Sequence, residues 1–289
     1  MNSKKQYKLL INTMSQRWQP YQTYYTNKDI AQQAIQIQQI PAPTFEEELR
    51  ANYIESMFTT YGLQHVEQDE LHNVYGWLGQ KDHEHVVLVS AHHDTVFPKE
   101  TNLDTHQEGS RLYGPGIGDN SLGVAALLLL AQLLSKTLQL KKCAICFLAN
   151  SREEGLGNLD GIRLAADTIG IQRIRAGVVI EGMALGRIYH GGIAVRRLEI
   201  NAYAEGGHSW TSFGKSSAIH GLANIICKLT CIAVPETPRT TYNIGLISGG
   251  HSINSIATEA SCKVDLRSAD PKQIDILEEH IQKIIEQHT

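Results

Sequence analysis

Apolar and polar positions along the chain alternate between two periods. The stretch from about Asn27 to Ile40 patterns as a helix that Pro41 and Pro43 stop. Thr44 followed by Glu47 has the spacing of a capping box, which predicts a second helix over Phe45–Tyr61, closed by Gly62. Short strands around turns are expected between His65 and Leu78, and the β-branched run His85–Ala91 predicts a strand buried on both faces. The apolar run Leu122–Leu134, interrupted by Gln132, is shorter than the ~20 residues of a membrane span and predicts a buried helix. A strand at Cys143–Asn150, a helix at Leu159–Ile169 and a strand at Gly177–Glu181 follow.

Strands alternating with helices predict an α/β domain with a mostly parallel sheet flanked by helices, whose ligand site lies beyond the carboxyl ends of the strands. Near Ile193 the order changes. Strand Val195–Ala204, helix Ser216–Cys231, strands Thr241–Ser248 and Ala257–Arg267, and helix Ile274–Gln287 make an α+β, ferredoxin-like unit one strand short. A boundary at Gly191–Gly192 therefore separates residues 1–191 from residues 192–289.

Composition narrows the class. The 289 residues are 42% hydrophobic and 19% charged, with a net charge of −4, which fits an ordinary globular protein. No dense Lys/Arg stripe advertises nucleic acid, and no apolar segment advertises a membrane. Lys4, Lys5 and Lys8 precede no apolar core of the kind a signal peptide carries. Five cysteines, an odd number, argue for a reducing compartment, so a cytoplasmic location is expected.

The chemistry gathers in four segments that follow predicted strands or their turns: Ala91-His92-His93-Asp94-Thr95, Gly114 to Gly123 around Asp119, Arg152-Glu153-Glu154-Gly155, and Ile180-Glu181-Gly182. Each alone reads as ordinary surface or turn. The glycine loop lacks the Lys-Ser/Thr ending of a phosphate-binding loop. Together, one imidazole and several carboxylates converging in a cleft make a poor core and a good divalent-metal site, zinc first, with cobalt or manganese as alternatives. His92 and Asp94, two apart on extended chain, share a side, so Asp94 can fix the His92 tautomer; His93 points the other way.

These segments resemble the co-catalytic zinc aminoacylase/carboxypeptidase family, which includes glutamate carboxypeptidase, peptidase T, acetylornithine deacetylase and succinyl-diaminopimelate desuccinylase. The resemblance rests on His-x-Asp-Thr-Val, Gly-x-Gly-x-x-Asp, Glu-Glu-Gly, the acidic residue before Gly182, and Gly206-Gly207-His208-Ser209. It implies a zinc-exopeptidase-like domain with an inserted lid that dimerises. It further implies His92 and Glu181 on one metal, Asp119 bridging two, Glu154 on the other, and Glu153 as general base on a metal-bridging hydroxide. Asp94 would orient His92. His208 would reach a partner subunit's active site to stabilise an oxyanion, and Asn254 and Arg267 would hold substrate. The reaction would be cleavage of an amide or peptide bond in small peptides or N-acyl amino acids.

Two departures follow. Asp119-Asn120-Ser121 stands where the family often has Asp-x-Lys. The family also returns from the lid to the first domain, adding sheet and a last metal-binding histidine, so a C-terminally truncated chain is expected. Full activity is not expected of it. Two alternatives remain: an inactive metal-binding or assembly protein, and a lidless zinc aminopeptidase. Elsewhere, Cys143 and Cys146 read as core, as do Cys227, Cys231 and Cys262. Trp18, Tyr21, Tyr24 and Tyr25 read as packing of an N-terminal extension, and His280 and His288 as solvent-facing.

Overall fold

The most continuous apolar runs become the central strands and the central helix. A computed structural model describes residues 13, 15, 16, 18–21, 23–182 and 186–287. The chain divides into two units between Gly186 and Arg187, a few residues before the Gly191–Gly192 position read from the sequence.

In the first unit, α1 (Asn27–Gln38) and α2 (Glu48–Thr60) precede β1 (Gln64–Gln68), β2 (Val74–Leu78) and β3 (Val86–His92). A small hairpin, β4 (His106–Glu108) with β5 (Arg111–Tyr113), leads to α3 (Leu122–Thr137), β6 (Ala144–Asn150), α4 (Asp160–Ile169) and β7 (Ile174–Val179). The sheet order is β1-β2-β6-β3-β7. Its β6-β3-β7 half is parallel as expected. The other half is antiparallel because the short turn from β1 into β2 can only return as a hairpin. The sheet is therefore mixed.

Helices cover both faces. Ile37, Ile54, Phe58, Leu127 and Leu128 from α1, α2 and α3 close on Val74, Val89, Phe147 and Ala149. On the other face Ala165 and Ile169 of α4 meet Trp77, Leu88 and Leu148. The segment Ile117–Thr137 has the length and apolarity of a membrane span, but Val124, Leu127, Leu128 and Ala131 are fully buried in this core. The Tyr25 hydroxyl donates to Gln132 on α3, which pins the N-terminal extension to the first unit.

One local expectation fails. The capping box forms at α1, where Thr26 and Asp29 exchange bonds, and not at Thr44–Glu47. Glu47 precedes α2 with no side-chain cap; its Oε1 accepts from the Phe45 N–H at 2.9 Å. Thr44 instead donates to Asp94 Oδ2 at 2.9 Å. A buried carboxylate outcompetes a helix end for that hydroxyl.

The second unit pairs β8 (Ala194–Tyr203), β10 (Thr240–Gly249) and β12 (Glu259–Ser268) as an antiparallel sheet in the order β10-β12-β8. β12 alternates strictly, sending Cys262, Val264 and Leu266 inward. There they meet Leu222, Ile225 and Leu229 of α5 (Ala218–Leu229) and Ile274, Leu277 and Ile281 of α6 (Pro271–Glu286). β9 (Gly207–His208) and β11 (Ser255–Ile256) form a separate two-stranded pair. Cys262 is buried as expected, but Cys227 and Cys231 are exposed. The inward stripe of α5 runs through 222, 225 and 229, which turns 227 outward. His280 is exposed, and His288 lies outside the described residues.

Candidate metal centre

β3, β6 and β7 end side by side, His92 opposite Asn150 in register, and the segments leaving them carry the site. His92 closes β3, only 3% exposed. Its Nε2 lies 3.0 Å from Asp119 Oδ1 and 3.6 Å from Glu181 Oε2, while its Nδ1 faces Asp94 Oδ1 at 3.5 Å. A proton on Nδ1, toward Asp94, leaves the Nε2 lone pair for an ion. Potential ligand atoms of His92, Asp119 and Glu181 all lie within 4.8 Å of one another, and so do those of His92, Glu153 and Glu154.

Asp94 is the hub. Fully buried, it accepts from the backbone N–H of Glu153 at 2.9 Å, that of Glu154 at 3.0 Å, and the Thr44 hydroxyl. Burial alone would raise its carboxyl, but His92 and those two N–H groups outweigh it and hold Asp94 at about 2. One carboxylate thus fixes both the imidazole and the Glu-Glu turn. His93 faces away as expected: it is fully buried with Nε2 3.0 Å from the His72 carbonyl, and burial pulls it down to about 4.

Further residues build the frame without having been singled out from the sequence. Asn120 donates to the Ile180 carbonyl at 3.0 Å and accepts from the Gly123 N–H at 3.1 Å, tying the Asp119 turn to the Glu181 segment. Asn73 accepts from the Ser151 N–H at 3.0 Å and donates to the Gly161 carbonyl at 3.0 Å, steadying the run into Glu153. Arg50 donates to the carbonyls of His93 (2.8 Å) and Ile40 (2.6 and 2.9 Å). Burial brings its guanidinium down to about 10, with Asp94 opposing. Only Asn120 carried a signal, as the departure inside the glycine-rich motif; an arginine in an amphipathic helix announces nothing.

Charge decides what the site can hold. Among the described residues, Asp119 and Glu181 form ion pairs with His92 only. Burial raises Glu153, and Asp94, Glu181 and Asp119 add to that against His92. Burial, Asp119 and Glu153 likewise raise Glu154. Burial would also raise Glu181, but His92 and the Gly182 N–H outweigh it and lower that carboxyl. For His92, burial is outweighed by Asp94 and Glu181, which push it up to about 11. Five carboxylates, Asp94, Asp119, Glu153, Glu154 and Glu181, around the His92 imidazole are short of positive charge, and a nitrogen-and-oxygen donor set of this kind fits a divalent cation.

In the second unit His208 and Asn254 come together. Ser255 pairs with His208, and the Ser209 N–H donates to the Asn254 carbonyl at 3.0 Å. Arg267 is not with them. It sits at the other end of β12, eight residues from Glu259, or about 26 Å of extended strand, with its Nε 2.7 Å from Asp265.

A sheet with an acidic, histidine-anchored cleft at its carboxyl edge, joined to a separate α+β unit, is an arrangement suited to holding a divalent metal. Residues 73–188 match the family described as peptidase family M28, and residues 190–289 match the peptidase dimerisation domain. A peptidase M20 domain-containing protein from Schizosaccharomyces pombe is 30% identical over 228 residues, covering 76% of this chain. This chain spans about half (54%) of that relative's length. A tripeptidase structure from Staphylococcus aureus shares the fold at a TM-score of 0.68 and 22% identity, over 91% of this chain and 72% of that one. A dinuclear metal-binding M20 peptidase from Bacillus subtilis does so at 0.64 and 15%, over 90% and 69%. Over most of its length the chain is thus similar to peptidases of families M28 and M20. The dimerisation-domain match runs against the lidless alternative.

Proposed function

We propose that this protein hydrolyses an amide or peptide bond in small peptides or N-acyl amino acids, with zinc as its metal. The observation that carries this reading is the convergence of Asp119 and Glu181 on His92, which shares the buried Asp94 carboxylate with the Glu153-Glu154 turn. His92, Asp119, Glu154 and Glu181 would hold the metal, His92 being common to the two groups. Bound there, zinc would polarise the scissile carbonyl and acidify water.

Glu153 is the group left to move the proton. It stands in the cleft beside His92, and burial with its anionic neighbours raises its carboxyl toward the range in which a base both takes and returns a proton. It takes the proton from the attacking water and delivers it to the leaving amine. His208 and Asn254, adjacent in the second unit, would complete the site from a partner subunit of a homodimer. Arg267 would bind a substrate carboxylate once released from Asp265. The odd number of cysteines would suit a cytoplasmic location.

The test uses the protein from its complete reading frame, loaded with zinc and offered dipeptides and N-acetyl amino acids. Glu153→Ala is expected to keep its zinc and lose roughly 10²–10⁴-fold in kcat. Near-normal turnover by that variant rules out the assignment.

A further inference from the structure

The residues around the cleft leave one cavity unexplained. It measures about 450 Å³, within the roughly 300–1,000 Å³ range of small-ligand pockets. Its wall includes Glu154 and Thr95, so it opens beside the metal centre. Three large apolar side chains from three separate segments also line it: Phe45 before α2, Val96 after β3, and Leu156 after the Glu-Glu turn. They are 51%, 60% and 81% exposed, a cost that a chain with a well-filled core has no folding reason to bear.

Phe45 is also held in place. Its backbone sits at φ +80°, a region that a bulky residue occupies only when its surroundings insist. What insists is the fully buried Glu47, accepting from the Phe45 N–H. The Arg152 guanidinium lies over the ring at 5.2 Å, itself at φ +52°. An aromatic ring is thus fixed at the mouth of the site by the same turn that carries Glu153 and Glu154. The lining disfavours one class of guest. Its cation, Lys99, is already within 3.8 Å of Glu46, and the exposed apolar trio offers contact surface to a side chain. A carboxylate side chain set against Phe45, Val96 and Leu156 would give up water for apolar contact.

Resting on the hydrolase reading above, we infer that this cavity is the subsite for one of the two substrate side chains flanking the scissile bond. It selects an uncharged apolar side chain, of leucine or phenylalanine size, against an acidic one. Phe45, Val96 and Leu156 are its specificity-determining residues.

The experiment takes the zinc-loaded protein from its complete reading frame. Dipeptides and N-acyl amino acids carry leucine, phenylalanine, glutamate or lysine at each position in turn. At one position, kcat/KM for leucine or phenylalanine is expected to exceed that for glutamate by about tenfold or more. Leu156→Asp and Val96→Asp, both at exposed positions, should each shrink that ratio about tenfold, through KM, with zinc content unchanged. Turnover with no preference between leucine and glutamate at either position overturns the subsite and leaves the hydrolase reading standing. A preference that neither variant moves also overturns it. Absence of turnover across the whole panel overturns the hydrolase reading, and the subsite with it.

Discussion

At the scale of single residues the site is an electrostatic problem that a cation solves. Asp94 stays ionised in full burial because two backbone N–H groups and His92 face it. The cost appears on His92, which Asp94 and Glu181 push up to about 11 against the pull of burial. Its ordinary value is about 6.5, so without metal the His92 proton is bound more tightly folded than unfolded. That contribution to stability is complete below about pH 6.5 and is lost as pH rises toward 11. Metal-free protein should therefore lose stability across this window, and zinc-loaded protein, whose His92 carries no proton on Nε2, should not; thermal unfolding against pH checks this. At pH 7 zinc uptake should release about one proton from His92, read from the buffer dependence of the binding enthalpy. Arg50 poses the converse case. Arg50→Met strips the Ile40 and His93 carbonyls of their donor, at roughly 1–3 kcal/mol for each buried group left unpaired. A fall of about 2–6 kcal/mol in urea-unfolding stability is expected.

At the scale of elements, the donors sit where strands end, and the turns between them touch. A Cβ added at Gly182 would lie 1.5 Å from the Gly118 carbonyl oxygen, so the Asp119 and Glu181 segments meet backbone to backbone. Gly182→Ala should force them apart and weaken zinc binding by about 10–100-fold, as loss of a group supporting a metal ligand does. Gly118→Ala, across the same contact, has nothing within 4 Å of its added methyl and should bind zinc as the parent does. Competition with a chelating dye compares the two. The main elements were legible, with β3, β6, α3 and β12 within a few residues of where apolar period places them, while the short pairs β4–β5 and β9–β11 were not read from the sequence. The Thr44–Glu47 pair was not, because the spacing of a capping box is local while the Asp94 carboxylate that captures Thr44 comes from fifty residues away.

At the scale of the molecule, two units each carry a core, one around α3 and the central sheet, the other beneath α5 and α6. Every residue of the two candidate metal groups belongs to the first unit. Zinc should therefore raise the unfolding temperature of one calorimetric transition and leave the other in place, since only the state that binds is stabilised. A single transition that moves as a whole would show the units to be coupled.

What the sequence determined by itself is whatever depends on neighbours along the chain. Period separates the α/β unit from the α+β unit, and the carboxyl-end rule for parallel strands puts His92, Asp119, Glu153, Glu154 and Glu181 near one edge before any coordinate is known. The tertiary structure decided what depends on neighbours across it. It made Asp94 the shared anchor of His92 and the Glu-Glu turn, and placed Arg50 behind His93. It brought His208 to Asn254 while leaving Arg267 at the far end of its strand, and held Phe45 open beside Glu154. Hydrogen bonds and close approaches act over about 3 Å. Which distant segments come within that range is fixed by how sheet and helices pack, and no local pattern encodes it.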